Sequence, residues 1–224
     1  MPGKTMPSRR LMLALLAASL ALPALPGRAQ QFTALQMQIL REVSGFFNSF
    51  RTLKGTFTQI SPRGRVSTGT FIIARPGRMR FEYAPPHPLT IVSDGTWVAI
   101  RNNARDKVDY FPLSKTPLKI VLARHVDLMR DAVVEDVREQ DGLALISLRG
   151  RDKSMPGKLL LVYDPVRRIL QQWTVIDPQG RRTTVTVGKL QRDVRVSRNL
   201  FHVPRNGERT RRRNVRQNFG ARQQ

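Results

Sequence analysis

Hydrophobic residues along this chain recur with two different periods, and the switch between them divides it. Between residues 32 and 53, Leu35, Ile39, Val43, Phe46, Phe47 and Phe50 stand three and four apart, with Gln36, Gln38, Arg41, Glu42 and Asn48 among them. That spacing predicts an amphipathic helix capped by Thr33 and laid over a sheet. From Gly55 the period falls to two. Residues 56–60 and 66–74, joined by Ser61-Pro62-Arg63-Gly64, predict a hairpin, and Arg75-Pro76-Gly77 turns the chain into a strand over 78–83. In that strand Met79, Phe81 and Tyr83 alternate with Arg78, Arg80 and Glu82. In the strand before it, Phe71, Ile73 and Arg75 share one face, so an arginine ends an apolar row.

The prolines of residues 84–88 require an irregular connection, because they cannot donate to a ladder. Strands follow at 89–92, 96–101 and 107–111, the first two joined by Ser93-Asp94-Gly95. The meander is then interrupted. Thr116 and Pro117 precede LKIVLARHVDLMRD, which predicts a short helix with Thr116 as its cap and Pro117 at its first position. Pro117, Leu118, Val121 and Leu122 make up its apolar side. It reads either as a core plug or as a movable lid over a cavity. Strands resume at 132–138, 143–148, 158–163, 169–176 and 183–190, and Phe201-His202-Val203-Pro204 predicts a short edge strand. A sheet of roughly ten or eleven strands must curl. The expected fold is therefore mainly β with α: an incomplete, half-open antiparallel β-barrel covered by an N-terminal helix and a short inserted lid helix.

The chain has 224 residues and a formal net charge of +23. Residues 1–29 carry Lys4, Arg9 and Arg10 ahead of the apolar run 11–25 and the small residues Gly27 and Ala29, which predicts a cleaved signal peptide. The run is too short for a comfortable membrane span. The domain is expected over 30–204, and 205–224, with seven arginines against Glu208, reads as a basic disordered tail. With no cysteine anywhere, disulfides, thiolate metal sites and a lipid-modified cysteine are excluded. Export places the protein in the periplasm and makes nucleic acid an improbable partner for its positive charge. Anionic membrane surfaces suit it better, with Arg209, Arg211, Arg212, Arg213 and Arg216 as contacts.

Catalytic signatures are missing. There is no nucleophile elbow, no His-Glu-x-x-His, no phosphate-binding glycine loop and no dinucleotide fingerprint. His87, His125 and His202 stand in separate segments, outside metal-ligand spacing. The expectation is a binding protein with no cofactor and no metal.

The run Gly69-x-Phe71-Ile72-Ile73-x-Arg75-Pro76-Gly77-x-Met79-x-Phe81-x-Tyr83 resembles the LolA family of periplasmic outer-membrane lipoprotein carriers. So do Phe57-Thr58-Gln59, the Ile91-to-Gly95 turn with Trp97 after it, Thr116-Pro117-Leu118 with Ala123-Arg124, and Phe201-x-Val203-Pro204. The resemblance covers most of residues 31 to 204; the arginine-rich extension lies outside the family pattern. It implies a cavity for lipoprotein acyl chains, with Phe71, Ile73, Met79, Phe81, Tyr83, Leu89, Ile91 and Trp97 as expected lining, some of which pack on the first helix instead. It also implies that Arg75 locks the lid by hydrogen-bonding its backbone. Periodicity alone reads the same residue as a strand-end arginine in solvent. The implied partners are acylated lipoproteins, an inner-membrane ABC-type lipoprotein-releasing transporter, and an outer-membrane acceptor or anionic surface, served by a monomer. A sensing module of the cell envelope with the same fold is the alternative.

Overall fold

The computed structural model describes residues 32–203 apart from Pro88 and Asp106. The expected leader and the tail with its arginines lie outside the described residues.

Helix α1 (Ala34–Asn48) begins with a reciprocal cap: Gln36 N donates to Thr33 Oγ1, and Thr33 N donates to Gln36 Oε1. Its apolar side buries Ile39, Leu40, Val43, Phe46 and Phe47 against the sheet, at about 1.5–3 kcal/mol for each large side chain. The apolar period continues to Leu53, but the helix stops at Asn48. Strand β1 takes over there, because Leu53 finds a ladder partner in Ile73.

Among the described residues eleven strands form one antiparallel sheet. The first half is β1 (Thr52–Ile60), β2 (Val66–Ala74), β3 (Arg78–Tyr83), β4 (Leu89–Asp94), β5 (Trp97–Asn102) and β6 (Lys107–Pro112). A 3-10 turn (Leu113–Lys115), helix α2 (Leu118–Val121) and helix α3 (Leu128–Asp131) follow. The second half is β7 (Ala132–Gln140), β8 (Leu143–Gly150), β9 (Lys158–Asp164), β10 (Ile169–Ile176) and β11 (Arg182–Arg192). Their order is β6-β5-β4-β3-β2-β1-β11-β10-β9-β8-β7. Each half is a meander, and the pairing of β1 with β11 joins them. Strands β6 and β7 stay unpaired with each other, so the sheet curls into an incomplete barrel whose two edges are bridged in sequence by the helical segment.

The rows of one face converge inward. Phe71 lies opposite Phe81, Phe81 opposite Ile91, and Ile91 opposite Ile100. Across the join, Val185 is opposite Gln59 and Trp173, and Trp173 is opposite Leu161. At Gly55 an added Cβ would stand 2.8 Å from the Phe71 ring, so the bare backbone there is what lets that ring lie across β1.

The predicted edge strand at 201–204 is not one. Residues Arg198–Phe201 make a 3-10 turn capped by Ser197, whose Oγ accepts from Asn199 N. Phe201 is buried beneath Arg78, with the guanidinium 5.6 Å from the ring centre, and Arg80 Nη1 donates to Leu200 O at 3.0 Å. These partners lie on the outward residues of β3, so this turn covers the outer face of the sheet rather than extending it.

Candidate functional site

Between the inward face of the sheet and the helices lies a cavity of about 260 Å³. Phe46, Phe47 and Phe50 close it from the side of α1, and Leu118, Val121 and Leu122 from the segment of α2. Its wall is aromatic at the centre. Phe71 and Phe81 stack at 5.4 Å, and Trp173 sets its edge against both at 6.2 Å. Apart from Gln59, Tyr83, Thr116 and Thr183, the lining is apolar. The apolar part of this wall excludes water from an apolar ligand. Among the described residues no group of acidic, histidine or cysteine side chains could hold a metal.

Of the expected lining, Phe71, Ile73, Met79, Phe81, Tyr83 and Ile91 face this cavity. Leu89 and Trp97 do not. Leu89 sits with Pro85, Pro86 and His87 in a second cleft at the connection between β3 and β4. Trp97 is 45% exposed because β5 presents Val98 and Ile100 inward instead. The turn before it sets that register: Asp94 Oδ1 accepts from both Thr96 N and Trp97 N, which brings Val98 opposite Ser93. Leu118, Val121 and Leu122 line the cavity, whereas Pro117 is buried at the cap position of α2 and is not part of the lining. Thr116 does not cap that helix as its sequence predicts; its hydroxyl turns back and donates to Leu113 O.

The far half of the sheet contributes lining that the sequence pattern does not single out. Leu159, Leu161, Leu170, Trp173, Val175, Val185 and Val187 all line the cavity. Their alternation was visible, but which face closes on the first half depends on the β1–β11 register, which no local pattern specifies.

Arg75 is not in solvent. Its Nη2 donates to Phe50 O at 2.8 Å, and its Nη1 reaches Ala123 O and Asn48 Oδ1, each at 3.3 Å. The guanidinium also lies over the Phe50 ring, 5.2 Å from its centre. Desolvation by burial pushes its pKa down, and its Nε is buried without a hydrogen-bond partner. In the same turn, Gly77 N donates to Leu122 O at 2.8 Å. Gly77 has φ +72°, and a Cβ there would come within 2.6 Å of Gly95 Cα, so glycine is needed for this turn to pack against the β4–β5 turn. Two consecutive carbonyls after α2 are thus held by one turn.

A second fastening escaped the sequence reading. Asn48 Nδ2 donates to Val126 O at 2.8 Å, and Val126 N donates to Asn48 Oδ1 at 2.9 Å. Further along α1, Leu128 N donates to Ser44 Oγ, and Gln36 Nε2 to Val137 O. One polar stripe of α1 therefore holds the backbone that follows the cover segment. Only the spacing of Gln36, Ser44 and Asn48 at eight and four hinted at a shared side.

The chain is similar to known proteins of one family. Residues 48–204 match the family model of the outer membrane lipoprotein carrier protein LolA. The outer-membrane lipoprotein carrier protein of Alkalilimnicola ehrlichii is 28% identical over 197 residues, covering 84% of this chain and 87% of that one. That of Dechloromonas aromatica is 31% identical over 114 residues, 47% of this chain and 54% of its own length, so the chain matches about half of that relative. Among solved structures, a LolA superfamily protein from Nitrosomonas europaea aligns over 75% of this chain and 97% of its own, at 10% identity and a TM-score of 0.45. With the family model spanning well over half of its residues, the chain belongs to the LolA outer membrane lipoprotein carrier protein family.

Proposed function

We propose that this protein is a periplasmic carrier that takes lipoprotein acyl chains into the cavity under α1 and α2 and delivers them to the outer membrane. The observation that carries the reading is an apolar cavity whose cover is fastened by a few polar ties, above all those of Arg75 to Phe50 O and Ala123 O. At about 0.8 kcal/mol per buried methylene, a single long acyl chain resists entry into water by more than 10 kcal/mol. A carrier must cover such chains and still let them go. An aromatic wall with little polar anchoring meets both needs.

The volume also bears on mechanism. About 260 Å³ is at or below the ~300–1,000 Å³ of pockets that bury a drug-sized ligand, so loading several acyl chains requires the cover to move. On this reading Leu118, Val121 and Leu122 form the moving apolar surface, and Arg75 is the tie that breaks. The partners are an inner-membrane ABC-type releasing transporter on one side and an outer-membrane acceptor on the other, and the carrier acts as a monomer without chemical catalysis. Depleting the protein should leave outer-membrane lipoproteins in the inner-membrane fraction; normal sorting after depletion would contradict the reading.

A further inference from the structure

The cavity has one polar end. Gln59 lies at the end of β1, Tyr83 at the end of β3 and Thr183 at the start of β11, and all three line the cavity. The ladders bring them together: Gln59 is opposite Ser67 and Val185, and Tyr83 is opposite Gly69. Arg75 follows the other end of β2, eight residues from Ser67, which is about 26 Å at ~3.3 Å per residue.

Within this polar end, Tyr83 Oη donates to Gln59 Oε1 at 2.7 Å. That bond uses the Gln59 carbonyl and leaves its amide nitrogen, with two hydrogens, donating to no group among the described residues. Burial pushes the Tyr83 hydroxyl up to about 12, so it stays a neutral donor near neutral pH and keeps the amide oriented. A donor fixed at the end of an apolar trough suits a ligand that is hydrocarbon along most of its length and carries a carbonyl at one end.

We infer that Gln59, oriented by Tyr83, binds an ester carbonyl of the cargo lipid and so sets its direction in the cavity. The chains then run along the strands towards Arg75, and the protein part of the cargo leaves past the β1–β2 hairpin. This rests on the carrier reading. Just beyond that end, the turns carry Arg63, Arg65 and Arg181 and β11 begins with Arg182, all exposed, and Arg181 is paired with Asp177. Long polar side chains there can meet a hydrated polypeptide without re-covering the lipid.

The test uses a matched pair of ligands, dipalmitoylglyceryl-cysteine and its dihexadecyl-ether counterpart, which differ only in the ester carbonyls. Affinities are read by displacement of the apolar dye N-phenyl-1-naphthylamine from the full chain. The wild type should prefer the ester by about fivefold, the scale of one hydrogen bond. Gln59→Leu should reduce that preference to within about twofold, read as the ratio of the two lipids' affinities so that any change in dye affinity cancels; Gln59→Met, closer in length, serves if the leucine variant does not fold. Tyr83→Phe should give an intermediate preference. An ester preference unchanged in the Gln59 variants, or absent in a wild type that binds the dye, overturns the inference and leaves the carrier reading standing. A wild type that binds neither the dye nor either lipid overturns both.

Discussion

The guanidinium of Arg75 lies over the ring of Phe50, 5.2 Å from its centre, and donates to that residue's own carbonyl at 2.8 Å, so one short segment after α1 supplies both its aromatic contact and its shortest hydrogen bond. The bond to Ala123 O is longer, at 3.3 Å. The cation is therefore anchored to the α1 side and reaches across to the cover. Replacing Arg75 by Leu removes a desolvated charge together with its bonds, and the two effects on global stability oppose each other. Urea denaturation should show a change within about 1–2 kcal/mol, while amide exchange at 123–126 rises about tenfold or more and captured cargo is released more slowly. Unchanged exchange in that segment would remove Arg75 from the closing device.

Asn48 behaves differently, because its amide satisfies both backbone groups of the buried Val126. Truncation to Ala leaves two polar groups unpaired and should cost about 1–3 kcal/mol, measured by denaturant unfolding. Asn48→Asp keeps the acceptor for Val126 N and Arg75 but loses the donor to Val126 O, and should fall between the two.

The cavity wall predicts a contrast between the two tryptophans. Trp173 meets Phe71 and Phe81 edge-on inside the cavity, whereas Trp97 is 45% exposed. Trp173→Ala should weaken dye and lipid binding several-fold and destabilise the fold by about 3 kcal/mol. Trp97→Ala should change stability by no more than about 0.5 kcal/mol and leave affinity unaltered. Phe71→Ala, at 1% exposure, should cost about 3–5 kcal/mol.

An acid-dependent prediction concerns the far half of the sheet. Glu135 on β7 pairs with Lys158 at 2.7 Å and Arg149 at 3.3 Å, joining β7, β8 and β9 on the outer face. The hydrogen bond from Lys158 chiefly lowers its pKa below the ordinary 4.5. A depressed carboxylate stabilises the fold above its unfolded pKa and loses that contribution as pH falls through the folded value. Glu135→Gln should therefore be less stable at pH 7, by up to about 1 kcal/mol for a partly exposed pair, and the difference should shrink below pH 4.5. A penalty that persists in acid would point to lost packing instead.

Much of this architecture was written in local pattern. The period-two runs locate every strand, and β2, β3 and β10 begin and end where alternation places them. The parity that put Arg75 beside Phe71 and Ile73 was likewise local, but its bonds with Ala123 and Phe50 were not, since periodicity alone reads a strand-end arginine in solvent and only the family resemblance implied a contact with the lid backbone. What escaped depended on contacts between distant segments. Trp97 pairs opposite Pro112 and turns outward because the Asp94 turn fixes the β4–β5 register, and Trp173 enters the cavity only through the pairing of β11 with both β10 and β1. Asn48 looked like one more polar residue on a solvated helix face; its partner lies 78 residues away, in the segment leading to α3.

The central claim is that the covered cavity holds lipoprotein acyl chains, and the most direct measurement is native mass spectrometry of the protein isolated from cells producing a triacylated lipoprotein. The account predicts a one-to-one complex that survives isolation, is more abundant for Arg75→Leu than for the wild type, and is lost when the lipoprotein's acylated cysteine is replaced by serine. Recovery of the protein only in the unliganded state from both wild type and Arg75→Leu, or a complex indifferent to acylation, would contradict it.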